Sequence, residues 1–263
     1  MLKLVRRAFV AALLVAGLPA AATETIDRPE LAAHFKAAGV SGGFVLFDLD
    51  EDRMSVYNGP RAHQRFVPAS TFKIFNTLVG LETGAVKDEF EVLPYGGKPQ
   101  RIKAWEQDMN LHDAIRVSNV PVYQELARRI GAQRMQGYID LVGYGNRDIG
   151  SAIDRFWLDG PLKISAVEQA RLMARLAQRQ LPFSERSMRI VRTSIQQKDT
   201  SGYTMFAKTG WADNSFPALG WLVGWIEKEG KIYAFALNID IRDDADTAKR
   251  HPLVRACLQA LLL

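Results

Sequence analysis

The run Trp221-Leu222-Val223-Gly224-Trp225-Ile226-Glu227-Lys228-Glu229-Gly230-Lys231-Ile232-Tyr233-Ala234-Phe235-Ala236-Leu237-Asn238-Ile239 decides how the chain is built. Two stretches rich in aromatic and branched apolar residues flank the polar Glu227-Lys228-Glu229-Gly230, the pattern of a β-hairpin. A similar pattern lies near the other end. Gly42 to Asp48 is rich in strand formers, Asp48-Leu49-Asp50-Glu51-Asp52 is turn-like, and Met54 to Tyr57 follows. Between the two hairpins the spacing changes to that of helices: Pro68 to about Glu82 with Gly84 as a stop, then Leu111 to Arg116, Pro121 to Ile130, Ala132 to Val142 and Ala166 to Gln178. Tyr203 to Ala207 is a further expected strand, and Val254 to Leu263 a closing helix. Strands at both ends with helices between them predict an α+β fold. One antiparallel sheet is built from both chain ends, flanked by helices, with a mainly helical insertion. A cleft is expected where the two parts meet.

The first 22 residues differ from the rest. Lys3, Arg6 and Arg7 precede the apolar run Ala8 to Leu18, and Ala20, Ala21 and Ala22 follow. A basic start, a short apolar run and a small-residue end read as a secretory signal peptide. The expected organisation is therefore a leader at 1–22 and one domain at 23–263, with its sheet part at about 23–66 and 198–263 and its helical part at about 67–197. Loss of three cations and no acid lowers the formal charge from +5 to +2, so a nucleic-acid partner has little electrostatic motive. The mature form is expected to be periplasmic and free of the membrane. The single cysteine, Cys257, allows no intramolecular disulfide and reads as a packed small hydrophobe. The four histidines, His34, His63, His112 and His251, are scattered and form no metal-binding pair, so no metal is expected.

Three short motifs carry chemistry. In Ser70-Thr71-Phe72-Lys73 the hydroxyl and the amine are three apart, hence on one helical face. A serine hydroxyl needs a base to become a nucleophile. A lysine serves only if burial suppresses its charge, and Phe72, Ile74 and Phe75 supply apolar neighbours. Ser118-Asn119-Val120 offers a second hydroxyl, or a plain helix cap. Lys208-Thr209-Gly210 offers a cation and a hydroxyl at a strand end, with a glycine that admits close approach; the bland alternative is a turn after an edge strand. Each motif alone is weak. Their order and separation together form the pattern of penicillin-recognising serine enzymes.

Further elements narrow the match. Tyr144-Gly145-Asn146, Phe156-Trp157-Leu158-Asp159-Gly160-Pro161-Leu162, Trp221-Leu222-Val223-Gly224 and Arg250 resemble the corresponding elements of class D (oxacillinase-type) serine β-lactamases. Class A enzymes fit less well, because the second motif is not S-D-N and no E-x-x-L-N element is present. The resemblance implies a β-lactam substrate, Ser70 as nucleophile, and Lys73 carboxylated by carbon dioxide or bicarbonate to N6-carboxylysine, the general base. It also implies Ser118 as proton relay and Trp157 as a donor holding the carbamate. The backbone N–H groups of Ser70 and Trp211 would form the oxyanion hole. Lys208, Thr209, Gly210 and Arg250 would bind the substrate carboxylate, and Val120, Leu158 and Trp105 would complete the site. Tyr144 and Asn146 are expected to shape its wall. No further cofactor is implied, and relatives of this kind are monomers or homodimers. Alternatives are a penicillin-binding transpeptidase or carboxypeptidase, or a β-lactam sensor domain, either of which acylates without turnover.

Overall fold

A computed structural model of the chain describes residues 23–197, 202–214 and 216–262. The expected leader at 1–22 lies outside them. The sheet comprises β1 (Glu24–Asp27), β2 (Gly42–Asp48), β3 (Arg53–Tyr57), β6 (Thr204–Ala212), β7 (Ala218–Lys228) and β8 (Lys231–Ile241), with β4 (Val92–Leu93) and β5 (Met109–Asn110) as a separate pair. Strand order is β1-β3-β2-β8-β7-β6, so both chain ends meet in one sheet along the β2–β8 seam. All of its pairings are antiparallel except β1 with β3. The β7–β8 connection is a two-residue turn, Glu229-Gly230, with both residues at positive φ, the geometry that matches the strands' twist.

The near-continuous apolar runs of β7 and β8 follow from burial on both faces. Trp221, Val223, Trp225, Ala234 and Ala236 face one core, under the helical part. Leu222, Ile226, Phe235, Leu237 and Ile239 face a second core, closed by α1 (Ala32–Ala38) and α10 (Arg250–Leu262). Cys257 is buried in this second layer, as expected.

The helical part comprises α2 (Gly59–His63), α3 (Lys73–Glu82), α4 (Leu111–Arg116), α5 (Val120–Ile130), α6 (Ala132–Val142), α7 (Ala166–Ala177) and α8 (Glu185–Ile195); the short α9 (Asp244–Ala248) precedes α10. Every residue of α3 from Lys73 to Leu81 is buried, which makes it the central helix of the larger core. Helix α7 packs across β2, β7 and β8, fixed at its start by a reciprocal capping box between Ser165 and Glu168.

One expectation is corrected. Strand β6 does not stop at Ala207 but stays paired with β7 through Ala212↔Leu219, so Lys208-Thr209-Gly210 lies inside a strand rather than at its end. Gly210 is required by packing. A Cβ there would meet the Pro68 carbonyl oxygen at 3.0 Å and the Thr71 methyl at 3.0 Å. Its missing side chain brings the strand against the Ser70 turn.

Gly224 is tighter still, because an added Cβ would lie 1.9 Å from the Phe206 carbonyl oxygen. Gly224→Ala is expected to cost about 3 kcal/mol or more, at the upper end of overpacking. Thermal unfolding reads this as a clear drop in Tm, and an unchanged Tm would contradict the register described.

Candidate active site

Ser70 sits on a single 3-10 turn, Ala69–Phe72, that leads into α3. Side chains three apart eclipse on such a turn, so Ser70 and Lys73 align more directly than on an α-helix. Ala69, immediately before the serine, is held at φ +49°, a conformation costly for a residue with a Cβ. Several bonds hold it there. The Thr71 hydroxyl donates to the Pro68 carbonyl at 2.7 Å and accepts from the Gln169 amide at 2.8 Å. The Trp221 indole donates to the Val67 carbonyl at 2.9 Å.

The Lys73 Nζ lies 2.8 Å from the Ser70 Oγ, and the lysine is fully buried. Among the described residues no carboxylate pairs with it. Burial, and then the nearby charge of Lys208, hold its pKa well below the ordinary lysine range. The helix beneath is tied to α5: the Thr77 hydroxyl donates to the Lys73 carbonyl at 2.8 Å and shares a bond with the Tyr123 hydroxyl at 2.8 Å. Trp157 is fully buried and stacks on Phe72 with ring centroids 5.4 Å apart; its indole N–H has no partner among the described residues. An orphaned buried donor is uncommon and calls for an acceptor.

Ser118 occupies the bend between α4 and α5 at φ +59°. The cap of α5 is its neighbour Asn119, whose side chain accepts from the Val122 N–H at 3.1 Å. Lys208 Nζ donates to the Ser118 Oγ at 3.0 Å and to the Thr209 carbonyl at 3.1 Å. Burial, and then the charge of Arg250, bring the Lys208 pKa down to about 7. Arg250 opens α10 and donates to the Gly210 carbonyl at 2.7 Å; burial lowers its pKa to about 10. Backbone groups alternate along β6. The Met205 and Ala207 carbonyls accept from Gln197 at the free edge, which directs the Trp211 N–H to that same edge.

These parts border a cleft of about 410 Å³. Of the residues singled out by sequence, Ser70, Trp105, Ser118, Val120, Leu158, Thr209, Gly210, Trp211 and Arg250 line it. Lys73, Trp157 and Lys208 lie behind its surface and are buried. Trp105 is partly exposed at the mouth, its indole donating to the Val117 carbonyl at 2.9 Å. Tyr144 and Asn146 do not line the cleft. Tyr144 is buried edge-on against Phe72, and Asn146 anchors the following segment through the Pro161 carbonyl and the Lys163 N–H. Sequence reasoning missed Arg101, Ile102, Val117 and Arg155, all on the wall. None stands in a chemistry-bearing motif, and chain folding alone brings them together.

Comparison with known proteins shows the family and the fold. Residues 42–259 match the penicillin-binding protein transpeptidase domain. The chain is 43% identical over 220 residues to β-lactamase OXA-5 of Pseudomonas aeruginosa, covering 82% of each chain. It is 39% identical over 245 residues to β-lactamase OXA-48 of Klebsiella pneumoniae, covering 93% of this chain and 92% of that one. Among solved structures, the class D β-lactamase FUS-1 (OXA-85) of Fusobacterium nucleatum subsp. polymorphum superposes with a TM-score of 0.86 at 44% identity, over 90% of this chain and 99% of that one. The chain belongs to the class D serine β-lactamases, within the penicillin-binding transpeptidase family.

The Lys208 pKa makes a prediction about stability. An unfolded lysine titrates near 10.4, and the folded one at about 7. Between these values the unfolded chain binds more protons, so folding gains stability as pH rises through the window. The cost of burying the ammonium is full below about pH 7 and gone above about 10.4. Lys208→Met escapes that cost. Relative to the wild type, the variant should lose about 2 kcal/mol or more between pH 7 and pH 10 in urea unfolding. A pH-independent difference would contradict the burial described.

Proposed function

We propose that the protein hydrolyses the amide bond of penicillins and related β-lactams through an acyl-enzyme on Ser70, and so confers antibiotic resistance. The observation that carries this reading is the buried Lys73 amine, 2.8 Å from the Ser70 hydroxyl and, among the described residues, without a counter-ion. The Ser70 Oγ bonds to the β-lactam carbonyl carbon while its proton passes to the base at position 73. The ring C–N bond then breaks, and Ser118 passes a proton to the leaving nitrogen, replenished through Lys208, to which it is bonded. Water finally cleaves the ester and frees Ser70.

The N–H groups of Ser70 and Trp211 receive the developing oxyanion, each such donor being worth about 3–4 kcal/mol of barrier. Arg250, with Lys208 and Thr209, attracts the substrate carboxylate. Val120, Leu158 and Trp105 exclude water around the ring.

The surroundings of Lys73 fit N-carboxylation by carbon dioxide. A suppressed ammonium leaves a nucleophilic amine, and the unpartnered Trp157 indole N–H supplies a donor for a new acceptor in the buried site. The modified lysine would supply a carboxylate-type base for acylation and deacylation. The leader reading of residues 1–22 supports export to the periplasm. Among the described residues no helix is long and apolar enough to cross a membrane.

Turnover of benzylpenicillin and of a chromogenic cephalosporin by purified protein tests this reading. Multiple turnovers should rise with added bicarbonate and vanish in Ser70→Ala and in Lys73→Ala. A single stoichiometric burst, unrelieved by bicarbonate, would instead identify a penicillin-binding or sensor protein. Trp157→Phe keeps the ring packing but removes the indole N–H. It should need about tenfold more bicarbonate for half-maximal turnover, as expected for loss of about 1.4 kcal/mol of hydrogen bonding. Bicarbonate dependence identical to the wild type would rule Trp157 out as the donor.

A further inference from the structure

Three arginines line the cleft, and the chain itself neutralises two of them. Arg155 is paired with Asp159, four residues on, within one segment. Arg101, in the segment between β4 and β5, is paired with Asp213 in the loop between β6 and β7, so this ion pair joins two separate stretches of the wall. Arg250 alone, among these three, meets only backbone carbonyls, those of Thr247 and Gly210. Among the described residues, Arg250 is thus the wall guanidinium with no carboxylate partner, which suits a substrate with one carboxylate.

Arg101 differs from Arg155 in having a second support. Its guanidinium lies over the Trp211 ring, 4.4 Å from the centroid. Stacking of this kind keeps the group in place without its carboxylate partner. Loss of Asp213 would thus leave a preorganised, unpaired cation at the mouth rather than a side chain swinging free in solvent.

We propose that Asp213 is a specificity-determining residue: by occupying Arg101 it closes a second anion subsite and restricts the cleft to β-lactams bearing a single carboxylate. The inference rests on the β-lactamase reading of the cleft. The excluded class is β-lactams with a further carboxylate on the acyl side chain. Such a group meets an aspartate and an engaged arginine in the wild type, and an open arginine when the aspartate is neutralised.

The test compares benzylpenicillin with carbenicillin, which differs by one carboxylate on the side-chain α-carbon. The readout is the ratio of kcat/KM for carbenicillin to that for benzylpenicillin, in wild type, Asp213→Asn and Arg101→Gln/Asp213→Asn. Asp213→Asn should raise the ratio about threefold, the size that a half-exposed charge pair supports. The rise should come from a lower carbenicillin KM, shrink as salt is added, and disappear in the double variant. An unchanged ratio in Asp213→Asn, or a rise that survives in the double variant, would overturn the proposal. A wild type that turns over neither penicillin would overturn the β-lactamase reading instead, so the two failures are distinguishable.

Discussion

The Lys73 amine is buried 2.8 Å from the Ser70 hydroxyl, with no counter-ion among the described residues. Removing an ammonium from water without a partner is expensive, and the group answers by giving up its proton. That constraint accounts for the helix that carries it. Helix α3 is buried on every side, clamped to α5 through Thr77 and Tyr123, and roofed by the Phe72–Trp157 stack. A more open helix would return the amine to water and leave the serine without a base.

The sheet serves the same end from the other side. Edge strand β6 presses against the Ser70 turn because Gly210 has no side chain to hold it away. Its register against β7 sets Lys208 beside Ser118 and directs the Trp211 amide to the free edge. Lys208 is itself buried, and Arg250 lies near enough to lower its pKa further. Among the described residues no carboxylate pairs with Lys73, Lys208 or Arg250, and the positive charge of Arg250, joined by that of Lys208 when it is protonated, forms a field that favours an anionic substrate. Burial makes that field stronger and holds the two lysines below their ordinary pKa.

Much of this was legible from the sequence because its signals are local. Both hairpins and the main helices are written in apolar periodicity, and the sheet built from both ends followed from their order. The motif residues were legible because chemistry restricts their types and spacing. Other parts were not. Strand β1 is short and mostly exposed, so it carries no apolar alternation and owes its place to pairing with β3. Helix α8 does carry a local signal, Met188, Val191 and Ile195 on one face behind a Ser184 cap, although it is not among the expected helices. The extent of β6 depends on β7 beyond Ala207, a tertiary fact. Arg101 and Asp213 lie 112 residues apart, and nothing in either neighbourhood announces the other.

The central claim is that Lys73 is held uncharged beside Ser70. It is tested most directly by NMR titration of protein labelled with 13C at lysine Cε, the Lys73 signal being assigned by its loss in Lys73→Ala. Spectra are recorded in carbon dioxide-free buffer, so that the free amine is observed. The account predicts that this signal titrates far below the bulk of the lysines and stays in its uncharged form at alkaline pH, where the surface lysines still carry their protons. A Lys73 signal that titrates with the others would show an ordinary ammonium, and the buried-base account of the site would be wrong.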